Sequence, residues 1–354
     1  MTGVCAVSGG QELTAAWLTG ALAPHLSGGR VTAAVAEPVG TGQVSDTFRL
    51  ALTYDRDLDL PPTMIAKVPA ADQASRNAAR TVRTYEIEAG FYGTIAPDLA
   101  VSLPTCYFVA YEPEHDDYVV LLEDLAPAVP GDQLAGLDPR QAADAIEELV
   151  TLHAAGWDDP ALAALPWLNR NSADAAAFSA SLLAALYEGF RERYADRLTP
   201  EVFKVIEDFL PGLGAYLTPP EGPRTLVHGD FRADNLLFGG ARPVVLDWQT
   251  CGYGPALADL AYFLGSSLPT PSRREHERAL VRQYHSSLTA HGVDMTWAEC
   301  WDGYRDHAYA GIVMSVGAAM LVERTERGDD MFCTMTARHT QHVLDLRKSA
   351  DGVG

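Results

Sequence analysis

The amino-acid sequence predicts an α+β protein with two lobes, a small antiparallel sheet with one crossing helix followed by a mostly helical lobe. Three observations lead to this prediction. Between Val31 and Leu122, short apolar runs of strand length alternate with glycine or polar turns, and one helical stretch interrupts them. From Asp138 onward, most segments repeat apolar residues at helical spacing. The 354 residues allow each lobe its own core, and we place the lobes at residues 1–125 and 126–354.

The elements of the first lobe follow from apolar periodicity and from turn residues. An N-terminal helix should stop before Pro24, and a polar turn at His115-Asp116-Asp117 should join the last two strands. The predicted elements are a helix over Leu13–Leu22, strands over Val31–Val39, Val44–Tyr54 and Thr63–Val68, a helix over roughly Arg76–Ile95, and strands over Thr105–Tyr111 and Tyr118–Leu122.

The second lobe begins with Ala126–Gly136, which is rich in proline and glycine and is predicted to be a linker. Asp138 then provides a helix N-cap, with Pro139 at the first helical position. The predicted elements are helices over Asp138–Ala155, Ser172–Tyr194 and Thr199–Leu213, strands over Thr225–Val227 and Pro243–Leu246, a helix from Ala256, and helices over Ser272–Thr289, Trp297–Glu323 and Asp330–Lys348.

The chain is strongly acidic, with a formal net charge of −21 and a pI near 4.7. A surface of this charge repels nucleic acid and anionic lipid, so we expect neither as a partner. The same charge mildly favours a neutral or cationic small molecule over a polyanion as the ligand. A local basic pocket that binds phosphate is compatible with this net charge.

The five cysteines are scattered and form no Cys-x-x-Cys pair, so the sequence indicates neither a disulfide framework nor a zinc site. The N-terminus has no basic region and no sustained apolar core, so we expect no secretory signal. The longest apolar run, Ala308 to Val322, contains two glycines and is too short to span a bilayer. We therefore expect a cytoplasmic protein without a membrane span; the sequence does not predict its oligomeric state.

Two features of the first lobe are candidates for binding a nucleotide. Gly40 and Gly42 lie in a hairpin where backbone amides can approach a phosphate, and Ser45 could add a hydroxyl group. A Gly-x-Gly hairpin is by itself most often only a turn. Lys67 lies in the otherwise apolar strand that follows, where its charge needs a partner; an exposed lysine on an edge strand is the alternative.

The stretch from Leu226 to Phe263 carries three side chains with oxygen atoms at the ends of apolar strands. Asp230 and Asn235 are five residues apart, and Asp247 follows the next strand. Each alone would be an ordinary turn or cap residue. Together they match phosphoryl transfer, in which one carboxylate receives the proton of the acceptor and an amide and a second carboxylate hold Mg²⁺.

In this stretch the sequence resembles the aminoglycoside phosphotransferase superfamily of kinase-like enzymes, which includes choline kinases and the ecdysteroid-kinase-like group. His228-Gly229-Asp230 is similar to the His-Arg-Asp motif of protein kinases, and Asp247-Trp248-Gln249 stands where those enzymes carry Asp-Phe-Gly. The resemblance covers most of residues 31–268 and is weak beyond them. It implies a protein-kinase-like fold and the transfer of a phosphoryl group from ATP, with GTP the less favoured donor, to a hydroxyl group of a small molecule.

The resemblance also implies roles for residues of the first lobe. Lys67 would contact the nucleotide phosphates and pair with a glutamate of the next helix. Glu88 is favoured, because Glu-Ala-Gly-Phe-Tyr matches the family pattern, and Glu86 remains the alternative. Glu123 and Leu125 would lie at the hinge where adenine meets the backbone, although a solvated linker is an equal alternative.

Further residues of the catalytic stretch have structural alternatives. His228 is expected to brace the loop by hydrogen bonds, and His153 to be a core histidine. Asp259 is read as a buried brace of the loop or as an ordinary carboxylate at a helix start. Arg232 and Asp234 are left undecided.

The acceptor is less well determined than the reaction. Only 11 residues separate Asp247 from Asp259, too few for the long regulatory loop of a protein kinase. Aromatic and methionine residues recur at near-helical spacing after residue 268, a pattern that more often marks a core than the wall of a binding site. With the acidic charge of the chain, they favour a largely apolar pocket with a few carboxylates, for a neutral or cationic hydroxyl compound that is sterol-like, macrolide-like or an amino sugar. The alternatives are a catalytically inactive pseudokinase that binds without turnover, and a kinase for a hydroxyacyl-coenzyme A. The latter would need a basic patch such as Arg273, Arg274, Arg278 and Arg282, which is otherwise a solvated charged face.

Overall fold

The computed structural model describes residues 5–40, 44–170, 172–218 and 222–351. It divides the chain into two compact units. The first, called here the sheet unit, comprises Met1–Leu99, Leu103–Pro127 and Asp247–Thr250. The second, called here the helical unit, comprises Ala100–Ser102, Ala128–Leu246 and Cys251–Gly354.

The sheet unit is built on a five-stranded antiparallel sheet, whose strands lie in chain order except that the fifth strand lies between the third and the fourth. Its core joins the first helix to the sheet through buried side chains such as Leu18, Leu22, Leu50 and Met64. The strands are β1 (Val31–Pro38), β2 (Ser45–Tyr54), β3 (Thr63–Pro69), β4 (Cys106–Glu112) and β5 (Asp117–Glu123). The helices are α1 (Ala15–Ala21), α2 (Gln73–Val82) and α3 (Thr84–Gly90), and α3 continues into a π-helical turn over Phe91–Ile95.

The crossing helix of the sheet unit differs from its prediction, because α2 and α3 are separate helices rather than one. Arg83 lies between them with φ 61°, in the left-handed region. Its N–H donates to the carbonyl groups of the last turn of α2, and its guanidinium pairs with Glu86. The left-handed residue thus ends α2 and reorients α3.

The helical unit contains two small antiparallel sheets. One pairs Thr225–Val227 with Gly252–Gly254, and the other has Leu236–Phe238 between Val129–Pro130 and Val244–Val245. The strands are β6 (Val129–Pro130), β7 (Thr225–Val227), β8 (Leu236–Phe238), β9 (Val244–Val245) and β10 (Gly252–Gly254). The helices are α4 (Pro139–Ala155), α5 (Pro160–Ala163), α6 (Ala173–Tyr194), α7 (Pro200–Phe209), α8 (Leu213–Leu217), α9 (Ala256–Ser267), α10 (Thr270–Ala290), α11 (Trp297–Asp306), α12 (Ala310–Leu321) and α13 (Glu326–Asp351).

Three sequence-based assignments in the helical unit were wrong in detail. The predicted linker contains β6, whose Val129 and Pro130 pair with β8. The helix predicted over Thr199–Leu213 ends at Phe209 and continues as a 3-10 turn with Pro211, which lacks the N–H that a helix interior needs. The helix predicted over Trp297–Glu323 is interrupted by a 3-10 turn at His307–Tyr309.

Helix α9 lies at the centre of the helical unit, where it contacts α4, α10, α11, α12 and α13. It is buried almost all round, which explains its nearly continuous apolar sequence. Two of its polar side chains, Asp259 and Tyr262, are one helical turn apart and contact the loop that follows β7, as described below. The α+β prediction, a small antiparallel sheet followed by a helical remainder, is confirmed. No helix within the described ranges is long and apolar enough to cross a membrane.

Candidate active site

The loop after β7 carries the first group of predicted site residues. Gly229 has φ 80°, a backbone conformation that favours glycine, and it turns the chain between His228 and Asp230. His228 is fully buried. Its Nε2 lies 2.9 Å from the carbonyl oxygen of Leu246, and the N–H of Asp230 donates to its Nδ1 at 3.2 Å. The imidazole therefore braces the loop, as expected from the sequence.

Asp259, near the start of α9, holds the same loop through its backbone. Its carboxylate is buried and accepts the N–H groups of His228 at 2.6 Å and Gly229 at 3.0 Å. His153 of α4 lies 3.4 Å from the same carboxylate and 2.7 Å from the hydroxyl of Tyr284. The structure thus supports the brace over the ordinary helix-start carboxylate, and it places His153 in the core.

The carboxylate of Asp230 accepts hydrogen bonds from three side chains of the helical unit. The Tyr262 hydroxyl donates to Oδ1 at 2.6 Å. Nε of Arg232 lies 3.2 Å from Oδ1 and 3.1 Å from Oδ2. Nδ2 of Asn235 donates to Oδ2 at 3.0 Å and to the backbone oxygen of Asp230 at 2.9 Å. Asp230 and Asn235 are therefore in direct contact.

Arg232 and Asp234, left undecided from the sequence, extend this network away from Asp230. Nη1 of Arg232 donates to Asp234 at 3.0 Å, and Arg327 of α13 donates to both oxygens of Asp234. Burial opposes the charge of Arg232, but the carboxylate of Asp230 outweighs it and raises the pKa of the guanidinium. Arg232 is therefore a permanent positive charge beside Asp230.

The second group of predicted site residues lies in the sheet unit around Lys67 of β3. Nζ of Lys67 lies 2.6 Å from Glu88 of α3 and 2.8 Å from Asp247. The Tyr118 hydroxyl donates to the other oxygen of Glu88 at 2.5 Å. The structure thus places Glu88 against Lys67, whereas Glu86 pairs with Arg83.

Burial opposes the positive charge of Lys67, whose side chain is only 12% exposed. The carboxylates of Asp247 and Glu88 outweigh this effect and raise the pKa of the ammonium group above its usual value. Lys67 is therefore charged at neutral pH. Burial raises the pKa of Glu88, although the charge of Lys67 opposes this shift. The partly exposed carboxylate of Asp247 is therefore the one suited to a cation.

Asp247 has a backbone with φ 64°, in the left-handed region that a non-glycine residue adopts at a cost. Its neighbours hold it there. The ring of Trp248 stacks on Phe91 with centroids 3.9 Å apart, and Nε2 of Gln249 lies 3.3 Å from Oδ2 of Asp247. The carboxylate remains 26% exposed, so solvent and ligands can reach it.

The other residues predicted to bind the nucleotide belong to the predicted hairpin before β2 and to the end of β5. Gly40 has φ 75° and open space where a Cβ would be, whereas Gly42 lies outside the described residues. Ser45 is buried at the start of β2. The N–H and the carboxylate of Glu123 both bond to Thr105, and Leu125 is half-buried. The roles of these residues stay predictions.

The chemistry of Asn235 and Asp247 fits the binding of Mg²⁺, a hard cation that takes oxygen ligands and few carboxylates. The amide nitrogen of Asn235 is engaged with Asp230, which turns its amide oxygen away as the atom suited to a cation. Asp247 offers a partly exposed carboxylate. Both residues thus have oxygen atoms of the type that a magnesium ion requires.

Sequence reasoning missed Tyr262 as a neighbour of Asp230. The signal was present in the spacing, because Tyr262 follows Asp259 by three residues and i,i+3 side chains share one face of a helix. Since Asp259 was expected to face the catalytic loop, Tyr262 could have been placed there as well.

Solved structures of kinase-like phosphotransferases share the fold. A candidate aminoglycoside phosphotransferase from Ralstonia eutropha matches with a TM-score of 0.56 and 16% identity, over 93% of this chain and 97% of that one. Choline kinase from Cryptosporidium parvum matches with a TM-score of 0.56 and 9% identity, over 90% of each chain. Macrolide 2'-phosphotransferase from Brachybacterium faecium matches with a TM-score of 0.53 and 16% identity, over 90% and 97%. At these identities the likeness concerns the fold.

Curated relatives match over a short segment. Acyl-CoA dehydrogenase family member 10 of Mus musculus is 46% identical over 59 residues, which cover 14% of this chain and 6% of that protein. Family member 11 of Gallus gallus is 45% identical over 49 residues, which cover 13% and 6%. The match thus spans about 6% of the length of these curated relatives.

A family model covers far more of the chain. The model of the ecdysteroid kinase-like family matches residues 40–296, a range that includes Lys67, Glu88, Asp230, Asn235 and Asp247. This match confirms the superfamily that the motifs predicted. The chain belongs to the ecdysteroid kinase-like family.

Proposed function

We propose that this protein transfers the γ-phosphoryl group of ATP to a hydroxyl group of a small molecule, with Mg²⁺ on the nucleotide phosphates. The observation that carries the proposal is the Lys67 side chain, largely withdrawn from solvent at 12% exposure and bonded to both Glu88 and Asp247. A buried lysine is costly unless paired, and one partner would satisfy it. The second carboxylate supplies the negative charge that a nucleotide-bound cation needs, which favours a nucleotide site over a structural ion pair.

In this proposal the nucleotide binds to the first lobe, residues 1–125, which corresponds to most of the sheet unit. Lys67, oriented by Glu88, neutralises phosphate charge. The hairpin with Gly40, Gly42 and Ser45 covers the phosphates, and the backbone at Glu123 and Leu125 meets adenine.

The acceptor binds to the second lobe, residues 126–354, which corresponds to most of the helical unit. Asp230 orients the acceptor hydroxyl and accepts its proton. Asn235 and Asp247 would hold Mg²⁺, which when bound neutralises the charge that develops on the phosphates. The braces at His228 and Asp259 keep Asp230 in place during this transfer.

The preferred acceptor is a neutral or cationic hydroxyl compound, because the chain has a net charge of −21. The four arginines considered for a basic patch differ in the structure. Arg273 is buried with Glu277 and Asp345, and Arg274 pairs with Asp345. Half of the candidate patch is thus already neutralised.

A hydroxyacyl-coenzyme A is the second candidate acceptor, because the other two arginines are exposed. Arg282 lies over the ring of Trp297 at 4.2 Å and Arg278 over Trp301 at 5.2 Å, and no described carboxylate lies within 4 Å of either guanidinium. The names of the curated relatives also refer to acyl-CoA, although they match over a short segment.

We also propose a reducing location such as the cytoplasm, because the five cysteines are scattered in the sequence and form no Cys-x-x-Cys pair. Three of them, Cys251, Cys300 and Cys333, are buried. A disulfide would therefore require displacement of packed side chains.

The function is tested by screening hydroxylated metabolites and antibiotics for ADP release with ATP and Mg²⁺, with the phosphorylated product identified by mass spectrometry. We expect a phosphorylated alcohol, formed by the wild-type protein and lost on removal of Mg²⁺. The control is Asp230→Asn, which should leave the screen without product. If the protein binds MgATP but forms no ADP with any of the compounds or with water as the acceptor, the non-catalytic pseudokinase is favoured instead.

A further inference from the structure

We propose that Tyr262 is a positioning residue for Asp230, fixing the rotation of its carboxylate through the phenol hydroxyl. This inference rests on the proposed function, in which Asp230 receives the acceptor proton. Tyr262 itself touches neither substrate nor cofactor in this assignment and acts through Asp230.

The first support is the contact itself. The hydroxyl of Tyr262 donates to Oδ1 of Asp230 at 2.6 Å, shorter than either bond from Arg232. Hydrogen bonds to a charged acceptor are short and about twice as strong as neutral ones. Burial, together with the charge of Asp230, raises the pKa of the Tyr262 phenol well above its usual value. The phenol therefore remains a donor at any physiological pH.

The second support is the way the donors divide the two oxygens of Asp230. Tyr262 donates to Oδ1 and Asn235 to Oδ2, while Arg232 reaches both. Two donors on different oxygens define the plane of a carboxylate, which a single donor cannot do. Tyr262 supplies the contact on Oδ1 from the buried helix α9, whereas Arg232 and Asn235 come from the loop itself.

The third support is the side chain that holds Tyr262. His339 of α13 stacks on the phenol ring with centroids 5.4 Å apart and an interplanar angle of 12°. Both ring nitrogens of His339 are buried without a hydrogen-bond partner among the described residues. Burying an unpaired polar group costs free energy, and burial lowers the pKa of His339 so that the ring is neutral. His339 therefore contributes through the stacking of its neutral, planar ring on Tyr262.

Two glycines make room for this stack. A Cβ at Gly311 would lie 2.0 Å from the ring of His339, and a Cβ at Gly265 would lie 2.6 Å from its Nδ1. Neither position could hold a larger residue without moving His339. Three helices, α9, α12 and α13, are therefore fitted around the ring that orients Tyr262.

The test uses the full chain with MgATP as the probe and water as the phosphoryl acceptor, so that it requires no identified substrate. Rates of γ-phosphate release are measured at a series of MgATP concentrations for the wild type, Asp230→Asn and Tyr262→Phe. The matched control is Tyr304→Phe. Tyr304 is also fully buried and donates to a carboxylate, that of Glu277 at 2.8 Å, but it does not contact Asp230.

We expect Tyr262→Phe to lower kcat by about 10- to 100-fold, the loss of one hydrogen bond to a charged group. KM for MgATP should remain within about 2-fold, because nucleotide affinity comes from other groups. Tyr304→Phe should lower the melting temperature at least as much and leave kcat within about 2-fold. This split separates positioning from a purely structural role.

A kcat of Tyr262→Phe within about 2-fold of wild type would overturn the inference while Asp230→Asn remains impaired. Equal rates for wild type and Asp230→Asn would overturn the proposed function, and this inference with it. If Tyr262→Phe melts more than about 10 °C lower, His339→Gln is measured instead, because it removes the stack and keeps the hydroxyl. Its kcat should fall severalfold, and an unchanged kcat would count against the inference.

Discussion

At the scale of single residues, Asp230 and Lys67 are both charged groups with more than one partner. The carboxylate of Asp230 accepts from Tyr262, Arg232 and Asn235. These donors stabilise a negative charge, so Asp230 is suited to orient a hydroxyl group as much as to remove its proton. Lys67 is held between two carboxylates, which keep it charged and ready to contact phosphate.

Asp230→Asn should reduce turnover by a factor on the order of 10² to 10⁴, the loss that accompanies removal of a positioned general base. The affinity for MgATP should stay within about 3-fold, because Asp230 acts on the acceptor side. Initial rates of ADP release and calorimetric titration of MgATP measure the two quantities. Turnover close to that of the wild type would refute the assignment of Asp230.

Asp247→Ala should remove the Mg²⁺-dependent part of the stabilisation by ATP, because the amide of Asn235 alone is a weak ligand for a hard dication. Thermal shifts with ATP are compared in the presence of Mg²⁺ and of a chelator. Gln249→Ala is the control, since Gln249 contacts Asp247 at 3.3 Å and is not a proposed ligand. If Asp247→Ala kept the full shift, the metal would have to bind elsewhere.

At the scale of elements, α9 and α13 determine the surroundings of the catalytic loop within the helical unit. Helix α9 presents Asp259 to the loop backbone and Tyr262 to Asp230. Helix α13 contributes His339 behind Tyr262, and it is tied to α10 by the carboxylate of Asp345, which bonds to Arg273 and Arg274. Packing of α13 therefore bears on Asp230 through the stack of His339 on Tyr262.

Asp345→Asn should destabilise the fold by about 1–3 kcal/mol at pH 7, the usual cost of losing charged hydrogen bonds. Burial opposes ionisation of Asp345, but the bonds from Arg274 and Arg273 outweigh it and lower the pKa of its carboxyl group below the usual value. The stabilisation is therefore fully present above about pH 4 and is lost as the pH falls through the folded-state pKa.

The free energy of unfolding in urea, measured from pH 7 to pH 3, checks this prediction. The wild type should lose stability over the acidic part of the range more steeply than Asp345→Asn. Asp208→Asn is the control, because Asp208 forms an exposed pair with Lys204 one helical turn away, and such pairs contribute little. Parallel pH profiles for wild type and Asp345→Asn would contradict the assigned role of this pair.

At the scale of the whole molecule, the net charge of −21 bears on the acceptor. An acidic chain attracts cations and repels polyanions, so an anionic acceptor would depend on a local positive surface. Arg278 and Arg282 lie over the Trp297 and Trp301 pair. Unlike Arg273 and Arg274, they have no described carboxylate within 4 Å. Substitution of Arg278 and Arg282 can therefore distinguish a neutral or cationic acceptor from a hydroxyacyl-coenzyme A.

We expect a coenzyme A thioester to bind weakly, with no competition at micromolar concentration against an acceptor found in the screen. The double variant Arg278→Glu with Arg282→Glu should leave turnover of a neutral or cationic acceptor within about 2-fold, since a surface charge far from a neutral ligand contributes little. Arg56→Glu with Arg140→Glu makes the same charge change at two other exposed arginines. Micromolar binding of the thioester that only the first double variant abolishes would establish the hydroxyacyl-coenzyme A class instead.

The sequence by itself determined the features encoded by neighbouring residues. The spacing from Asp230 to Asn235 fixes their contact within one short turn, and strand and helix periods predicted the α+β architecture. The pairing of Lys67 with Glu88 followed from a motif resemblance rather than from periodicity, which left Glu86 open. The interruption of the crossing helix at Arg83 was missed, because nothing in its apolar pattern marks a left-handed residue.

Only the tertiary structure decided the contacts between residues far apart in the chain. Tyr262 reaches Asp230 because α9 is buried beside the loop, and His339 reaches Tyr262 from 77 positions later because Gly265 and Gly311 admit its ring. Likewise, Asp345 neutralises Arg273 and Arg274, which looked like part of a free basic face in the sequence. Such pairs depend on how helices pack, and helix packing is a property of many side chains at once, whereas a motif needs only its own few residues.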